Sequence, residues 1–534
     1  MSKYFMSIDL GTSSVKAFIA DFENNLYYSE GENYDVIIPN TGYAEQNPEI
    51  WYEKTISAIR RVLSKSKIDP KQIIALSFSG QMHGLVALDE NFNLVMNSII
   101  WMDQRSEEVI NEIYKIVGEN EILANTQNRI SAGFMIGTLY WLKINNPEIY
   151  TKIKYAIFPK DYIKYRLSGR IITDYSDAAG SLAFNNKKLC WASPVLAKLG
   201  LNEDILPECF SSTHIVGNIT SIAAKETGLS EGTIIINGGG DSFMQSIGNG
   251  IISEGVFASN IGTAGQISTT SKTLLFDSKM RMNTFAHVIP NRWNLMAACL
   301  NGGVALKWIV KQILNENDYE TVNKNIAETP AGCNGLFFLP YLSGERTPHM
   351  DSKARGVFFG LTLGHGRPEV ERAVMEGVAF ALNDCLNVLL EIGAKCDRII
   401  AAGGGARSDE WLQIQADIFG RDVYRSSSVE QACLGAAITA AVGAGYFTDF
   451  ESACGECVKE PSKVFHPKSE NVAVYKKAYQ IFRDIYQQNK EIFRHFLSMR
   501  PKIFDECYWQ LDEYNEEFSS AMSNNLSETL NFIK

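Results

Sequence analysis

The chain has 534 residues, 45% hydrophobic and 11% aromatic with 15 prolines, which excludes a single small module and global disorder and supplies apolar material for several compact units. Its 61 acidic against 50 basic side chains leave a net charge of -11, which repels phosphate backbones and anionic lipid and argues against nucleic acid as a partner. The ten cysteines are scattered except for Cys454-x-x-Cys457, which lacks the second pair or His cluster of a zinc site, so neither a disulfide framework nor a metal or redox role is expected. Residues 1–10 carry Asp9 where a signal peptide needs an apolar core, and no run approaches the roughly 18 apolar residues of a membrane span. A cytoplasmic protein without membrane contact is the expectation.

From the N-terminus, residues 4–9 have a buried-strand pattern, the small residues Gly11, Thr12, Ser13 and Ser14 make a turn, and residues 15–20 return as a second strand. Residues 73–78, 85–88 and 99–101 are further strand candidates, while 51–64 and 136–144 have helical apolar spacing. This alternation favours an α/β fold. Near the middle the plan restarts: 255–261 is strand-like, Gly262-Thr263-Ala264-Gly265 is a turn, and 266–270 leads away as a strand. Two strand–Gly-Thr–strand units suggest an internal duplication with a boundary near residue 250, although two short matches also arise by chance. Past Pro461, residues 472–500 show helical spacing of aromatic and apolar residues, and the acidic, aromatic segment beyond Pro501 reads as a helix docked on its own lobe or as a subunit contact.

Four places have chemistry-bearing composition. Asp9 at a strand end suits a hydrated Mg²⁺, and the N–H groups of residues 11–14 suit phosphate oxygens; an ordinary hairpin with Asp9 as turn former fits the same residues. Asn237-Gly238-Gly239-Gly240-Asp241-Ser242 follows an apolar strand, so the backbone passes close to something bulky and Asp241 is presented either as a general base or as a helix cap. Gly403-Gly404-Gly405-Ala406-Arg407-Ser408-Asp409 is a Gly-rich strand-to-helix junction that suits a nucleotide, yet it fits neither G-x-G-x-x-G nor a Walker lysine loop. Ser79-Gly80-Gln81-Met82-His83-Gly84 and Trp101-Met102-Asp103-Gln104-Arg105 put His, Trp, Asp and Arg at neighbouring strand ends, a set that suits sugar hydroxyls and a C–H face. A structural histidine is the plainer reading of His83.

In chain order, these motifs with Pro159-Lys160-Asp161-Tyr162, Ser176-Asp177-Ala178-Ala179-Gly180, residues 338–349 and 356–360 resemble the FGGY carbohydrate kinases, in particular their xylulokinase branch. The resemblance implies a two-lobed actin-like (ribonuclease H-like) fold with a cleft between an N-terminal lobe 1–250, which binds sugar, and a C-terminal lobe 251–490, which binds nucleotide. A helical extension, 491–534, follows. It implies ATP and Mg²⁺ as cofactors, a small-molecule sugar as partner, and ATP-dependent phosphorylation of a ketopentose, D-xylulose first, with another ketose or polyol, or an ATP-switched binding protein, as alternatives. It leaves room for a homodimer. By that resemblance Asp241 is the base; Met82, His83, Trp101, Asp103 and Ser242 surround the sugar; Asp9 places metal and phosphate. Gly11, Thr12, Ser13, Gly262 and Thr263 contact phosphates, and Gly404, Gly405, Ala406 and Asp409 border the adenosine. Two departures bear on the sugar: Ser242 and Met102 stand where that branch usually has Asn. For Lys160, Asp161, Arg346 and His349 a bracing role is preferred over a functional one.

Overall fold

Small residues between two apolar runs make a tight return. In the computed structural model, which describes residues 3–428 and 430–498, β1 (Tyr4–Leu10) and β2 (Ser14–Asp21) form an antiparallel pair whose turn is closed by Gly11 N–H donating to Ser14 O at 2.9 Å. β3 (Leu26–Asn33) completes the meander. Helix α1 (Pro48–Ser66), capped by the Asn47 side chain, leads to β4 (Ile73–Gly80), which runs parallel to β1. α2 (Pro159–Ser168), the short α3 (Tyr175–Gly180), β5 (Ile215–Asn218) and β6 (Ile234–Ile236) follow, with β6 parallel to β4. The sheet order is β5-β6-β4-β1-β2-β3, and Gly239–Gly240 adds a seventh short strand beside the end of β4. α4 (Asp241–Gly248) starts there.

The second half repeats this order of strands. β7 (Gly255–Ile261) and β8 (Gly265–Ser271) are the antiparallel pair, with β9 (Asn283–Ala286) and β10 (Trp293–Cys299) extending the sheet on that side. Helix α5 (Arg367–Glu391) precedes β11 (Cys396–Ala402), parallel to β7, and α6 (Asp409–Phe419) precedes β12 (Val423–Arg425), parallel to β11. α7 (Gln431–Gly443), β13 (Lys463–Phe465) and α8 (Ser469–Ser498) end the described chain, and the sheet reads β9-β10-β8-β7-β11-β12-β13. Each sheet thus joins an antiparallel meander to two parallel strands in the same succession, so the two Gly-Thr turns belong to equivalent hairpins.

Helix α5 is long and apolar enough to cross a membrane by length and composition, contrary to the expectation that no segment approaches such a span, but 89% of its apolar window is buried inside the protein. It is the core helix of the second half, packed among Phe338, Tyr341 and Trp411. Packing also qualifies a boundary at residue 250. α7 lies against β1 and β4 of the first sheet, and its apolar residues share one cluster with Phe5, Ile236 and Met244. Helices α4 and α7 meet backbone to backbone: a Cβ on Gly248 would lie 1.9 Å from Gln431 O, and one on Gly435 1.9 Å from Met244 O. The segment that starts with Asp241 is therefore clamped by a helix from the other half of the sequence. Tyr475, Phe482, Ile485 and Tyr486 dock α8 on the second core; the remainder of the expected extension, from residue 499, lies outside the described residues.

Candidate active site

The site grows from the carboxyl ends of three adjacent parallel segments, where side chains and free backbone groups leave the sheet. Ser79 near the end of β4 is the ladder partner of Asp9 on one side and of Gly239 on the other, which brings Asp9 and the start of α4 together. Ser79 Oγ donates to Asp9 Oδ1 at 2.6 Å. Asp241 is the first residue of α4, and its Oδ1 accepts the Ser242 N–H at 2.7 Å and the Ser242 hydroxyl at 3.3 Å. Burial, followed by the negative charge of Asp9, pushes the Asp241 carboxyl up to about 7. Asp9 is raised too, by burial, against the opposing pull of the Ser79 hydrogen bond and Lys16.

The glycines ahead of Asp241 are required by close packing. Gly238 has φ +80°, and a Cβ there would lie 2.4 Å from Phe78 O; one on Gly240 would lie 2.6 Å from Met82 Cγ. Behind this segment lies a buried charged network that the sequence reading treats only as bracing. The Lys160 ammonium is 2.6 Å from Asp161 Oδ1, 2.9 Å from Asp174 Oδ1 and 2.9 Å from Asp177 Oδ2. Those carboxylates hold Lys160 charged despite its burial, while burial raises Asp177 and lowers Lys164. The network reaches the loop twice: Lys164 Nζ donates to Asn237 Oδ1, and Gly240 N–H donates at 3.1 Å to Ser176 Oγ, itself a donor to Asp174.

On the sugar side, Met82 is buried against Gly240 and Gly180, and His83 takes φ +74° with its ring 4.1 Å from that of Phe134. His83 Nδ1 lies 2.7 Å from Gly180 O; a carbonyl only accepts, so Nδ1 carries the proton and Nε2 is left as an acceptor. Burial lowers this histidine to about 4, keeping it neutral. Trp101 is 39% exposed and its Nε1 donates to Thr12 Oγ1 at 2.9 Å, tying the indole to the phosphate-type turn.

Asp103 is a correction to the expected sugar set. It is 1% exposed, Oδ2 accepts Ala44 N–H at 2.7 Å, and Oδ1 accepts both Arg105 N–H and Nε at 2.9 Å. A carboxylate two residues before an arginine folds back onto it, so Asp103 shapes the loop from inside. Met102 packs partly buried on a core cluster, and the Ser242 hydroxyl is directed at Asp241.

The two hairpin turns offer unoccupied donors. The N–H groups of Thr12, Ser13, Thr263 and Ala264 have no acceptor among the described residues, and around Gly262 there is no atom within 4 Å of where a Cβ would be. Gly404 is exposed beside the second turn, whereas Gly405 and Ala406 are buried, Gly405 against Ile261. The Asp409 carboxylate, 44% exposed, pairs with both Arg425 and Lys463 and so fastens α6 to β12 and β13. Among the described residues no group of three or more His, Cys, Asp or Glu is arranged to hold a metal ion. Asp9 alone suits a divalent ion that arrives with phosphate and water as its remaining ligands. Sequence reasoning quotes Ser79 and Ser176 within motifs without giving either a role, and it misses Gln46, whose only signal is a polar residue at a buried strand end. Gln46 donates to Thr12 O at 2.6 Å and so shapes the first turn.

Twin mixed sheets of equal strand order, with hairpin turns and a carboxylate pair at the strand ends, define a protein of the actin-like ATPase fold. The particular family follows from comparison. Residues 4–248 match the N-terminal domain and residues 257–444 the C-terminal domain of the FGGY family of carbohydrate kinases, and the chain belongs to that family. A xylulose kinase of Bacillus subtilis (strain 168) is 35% identical over 490 residues, 92% of this chain and 98% of its own. A gluconokinase of Bacillus licheniformis is 31% identical over 496 residues, 90% of this chain and 95% of its own. Among solved structures, the ligand-bound xylulose kinase from Lactobacillus acidophilus superposes with TM-score 0.87 at 30% identity, covering 92% of this chain and 100% of that one.

Proposed function

We propose that the protein transfers the γ-phosphoryl group of ATP to a hydroxyl of a ketopentose, D-xylulose, giving D-xylulose 5-phosphate. The observation that carries this reading is Asp241: a carboxyl held near neutrality at the start of α4, beside Asp9 and the Met82–His83 loop. A base works best when its pKa lies near the operating pH. Asp241 takes the acceptor hydroxyl's proton while Met82 and Trp101 offer apolar surface and His83 Nε2 accepts from a second hydroxyl. The free N–H groups at 12–13 and 263–264 and the open space at Gly262 suit phosphate oxygens. Asp9 would hold Mg²⁺, and Gly404 would border the adenosine. MgATP, when bound, supplies the phosphoryl group and neutralises charge on it. Of the two departures from the xylulokinase pattern, Met102 packs against a core cluster and the Ser242 hydroxyl is directed at the base.

Purified protein mixed with ATP, Mg²⁺ and a panel of ketoses and polyols should release ADP and phosphosugar fastest with D-xylulose. ADP without phosphosugar would instead support an ATP-switched binding protein. A preferred acceptor of another class would overturn the assignment of the sugar.

The pH profile follows from the same carboxyl. Asp241 acts only when ionised, so kcat/KM for the sugar should fall about tenfold per pH unit below an apparent pKa near 7, read from initial rates at pH 5 to 9. Its raised pKa also means the folded state holds a proton the unfolded chain releases. That contribution to stability is present below about pH 4 and is lost as pH rises through about 7. A rate profile flat from pH 5 to 8 would exclude Asp241 as the titrating base.

A further inference from the structure

We propose that the recess between the 129–134 loop of the first half and the 346–350 loop of the second is a carboxylate-sized oxyanion subsite, with Arg129 and Arg346 as its cations. Both arginines line this recess together with Ser131, Phe134, Asn283 and Thr347. Both are half-buried, and neither guanidinium makes an ion pair or hydrogen bond with the described residues. A half-buried guanidinium without a carboxylate is open to an oxyanion, which its planar fork favours; Arg129 has only the face of Tyr114, 6.0 Å from the ring centroid. The third arginine here, Arg281, differs: Asp277 at 2.8 Å and Glu391 at 2.8 Å already take its charge.

The nearest acids leave the other two unneutralised. Glu107 acts on Arg129 only at a distance, without an ion pair. Glu345 acts on Arg346 through space without an ion pair: it turns Oε1 to the backbone N–H groups of Leu300 and Arg346, at 2.8 and 2.7 Å, and burial raises its carboxyl to about 8. The free space is about 30 Å³. With roughly 10–15 Å³ needed per water-sized atom, that accommodates two oxygen atoms.

The recess adjoins the sugar side, since Phe134 forms its wall and packs, tilted by 40°, against the His83 ring, and the charge of Arg346 is felt by His83. Calling that neighbour a sugar pocket rests on the function proposed above. The oxyanion belongs either to an open-chain acceptor, as a terminal carboxylate, or to a free carboxylate. An occupant would bridge cations from the two halves of the chain, coupling anion binding to their approach.

Calorimetric titration of the full chain with D-gluconate and with D-glucitol, its uncharged counterpart of equal length, tests the subsite without turnover. Gluconate should bind at least about tenfold more tightly, and R346Q and R129Q should each remove most of that preference. If R346Q fails to fold, R129Q on the opposite half gives the same reading. Acetate that binds the wild type and neither variant, with gluconate no better than glucitol, would assign the subsite to a free carboxylate. Equal affinities with no acetate binding, or a preference surviving both substitutions, would overturn it. Phosphorylation of D-xylulose, assayed separately, stands or falls without affecting this outcome.

Discussion

Asp241→Asn should lower kcat by about 10²- to 10⁴-fold while ATP still binds, the range a positioned general base contributes, or about 3 to 5 kcal/mol of barrier. Asparagine keeps the shape of the side chain, and its Oδ1 still accepts the Ser242 N–H now 2.7 Å from the carboxylate. The start of α4 should therefore persist, and the loss should lie in the chemical step. Stability separates this from a structural defect. A carboxyl raised to about 7 by burial destabilises the fold at alkaline pH, so the Asn variant should be at least as stable as the parent at pH 8. Single-turnover rates, ATP titration and urea unfolding on one preparation check all three statements. Turnover within threefold of the parent would remove Asp241 from the mechanism.

Lys160→Met should destabilise the protein by about 3–5 kcal/mol, the cost of leaving buried carboxylates without their cation. Lys160 is wholly buried and is the ammonium shared by Asp161, Asp174 and Asp177. Methionine fills the space of its stem, so the loss measures charge rather than volume. Lys164 remains 2.7 Å from Asp161, which leaves Asp174 and Asp177 as the uncompensated pair. Because Asp174 holds Ser176 and Ser176 holds Gly240, kcat should fall together with the unfolding midpoint. A shift below 1 kcal/mol in urea would show that the aspartates neutralise themselves by binding protons.

Much of the scaffold was legible from patterning. The runs at 4–9, 73–78 and 255–261 are apolar stretches bounded by turn residues, and they became β1, β4 and β7. β3 was missed for a physical reason: as an edge strand of sequence LYYSEGEN, exposed or half-buried throughout, it needs no apolar signature and exists through its ladder with β2. Asp103 was misplaced and the partners of Asp409 were missed because a sequence gives a carboxylate's position but not its partner. Arg105 lies two residues from Asp103, whereas Arg425 and Lys463 reach Asp409 from distant strands.

The sequence by itself determined the chemistry on offer: two strand–Gly-Thr–strand units, a carboxylate after each of two apolar strands, and an ordered set of motifs particular enough to mark a kinase family. Those are local features, fixed by residue type and by the few φ/ψ values each residue tolerates. Tertiary structure alone decided which carboxylate is free and which is engaged, that α7 crosses to the first sheet, and that two arginines more than two hundred residues apart share one recess with no acid between them. Pairing and desolvation depend on what the rest of the chain brings within a few ångströms, and spacing along the sequence carries no measure of that.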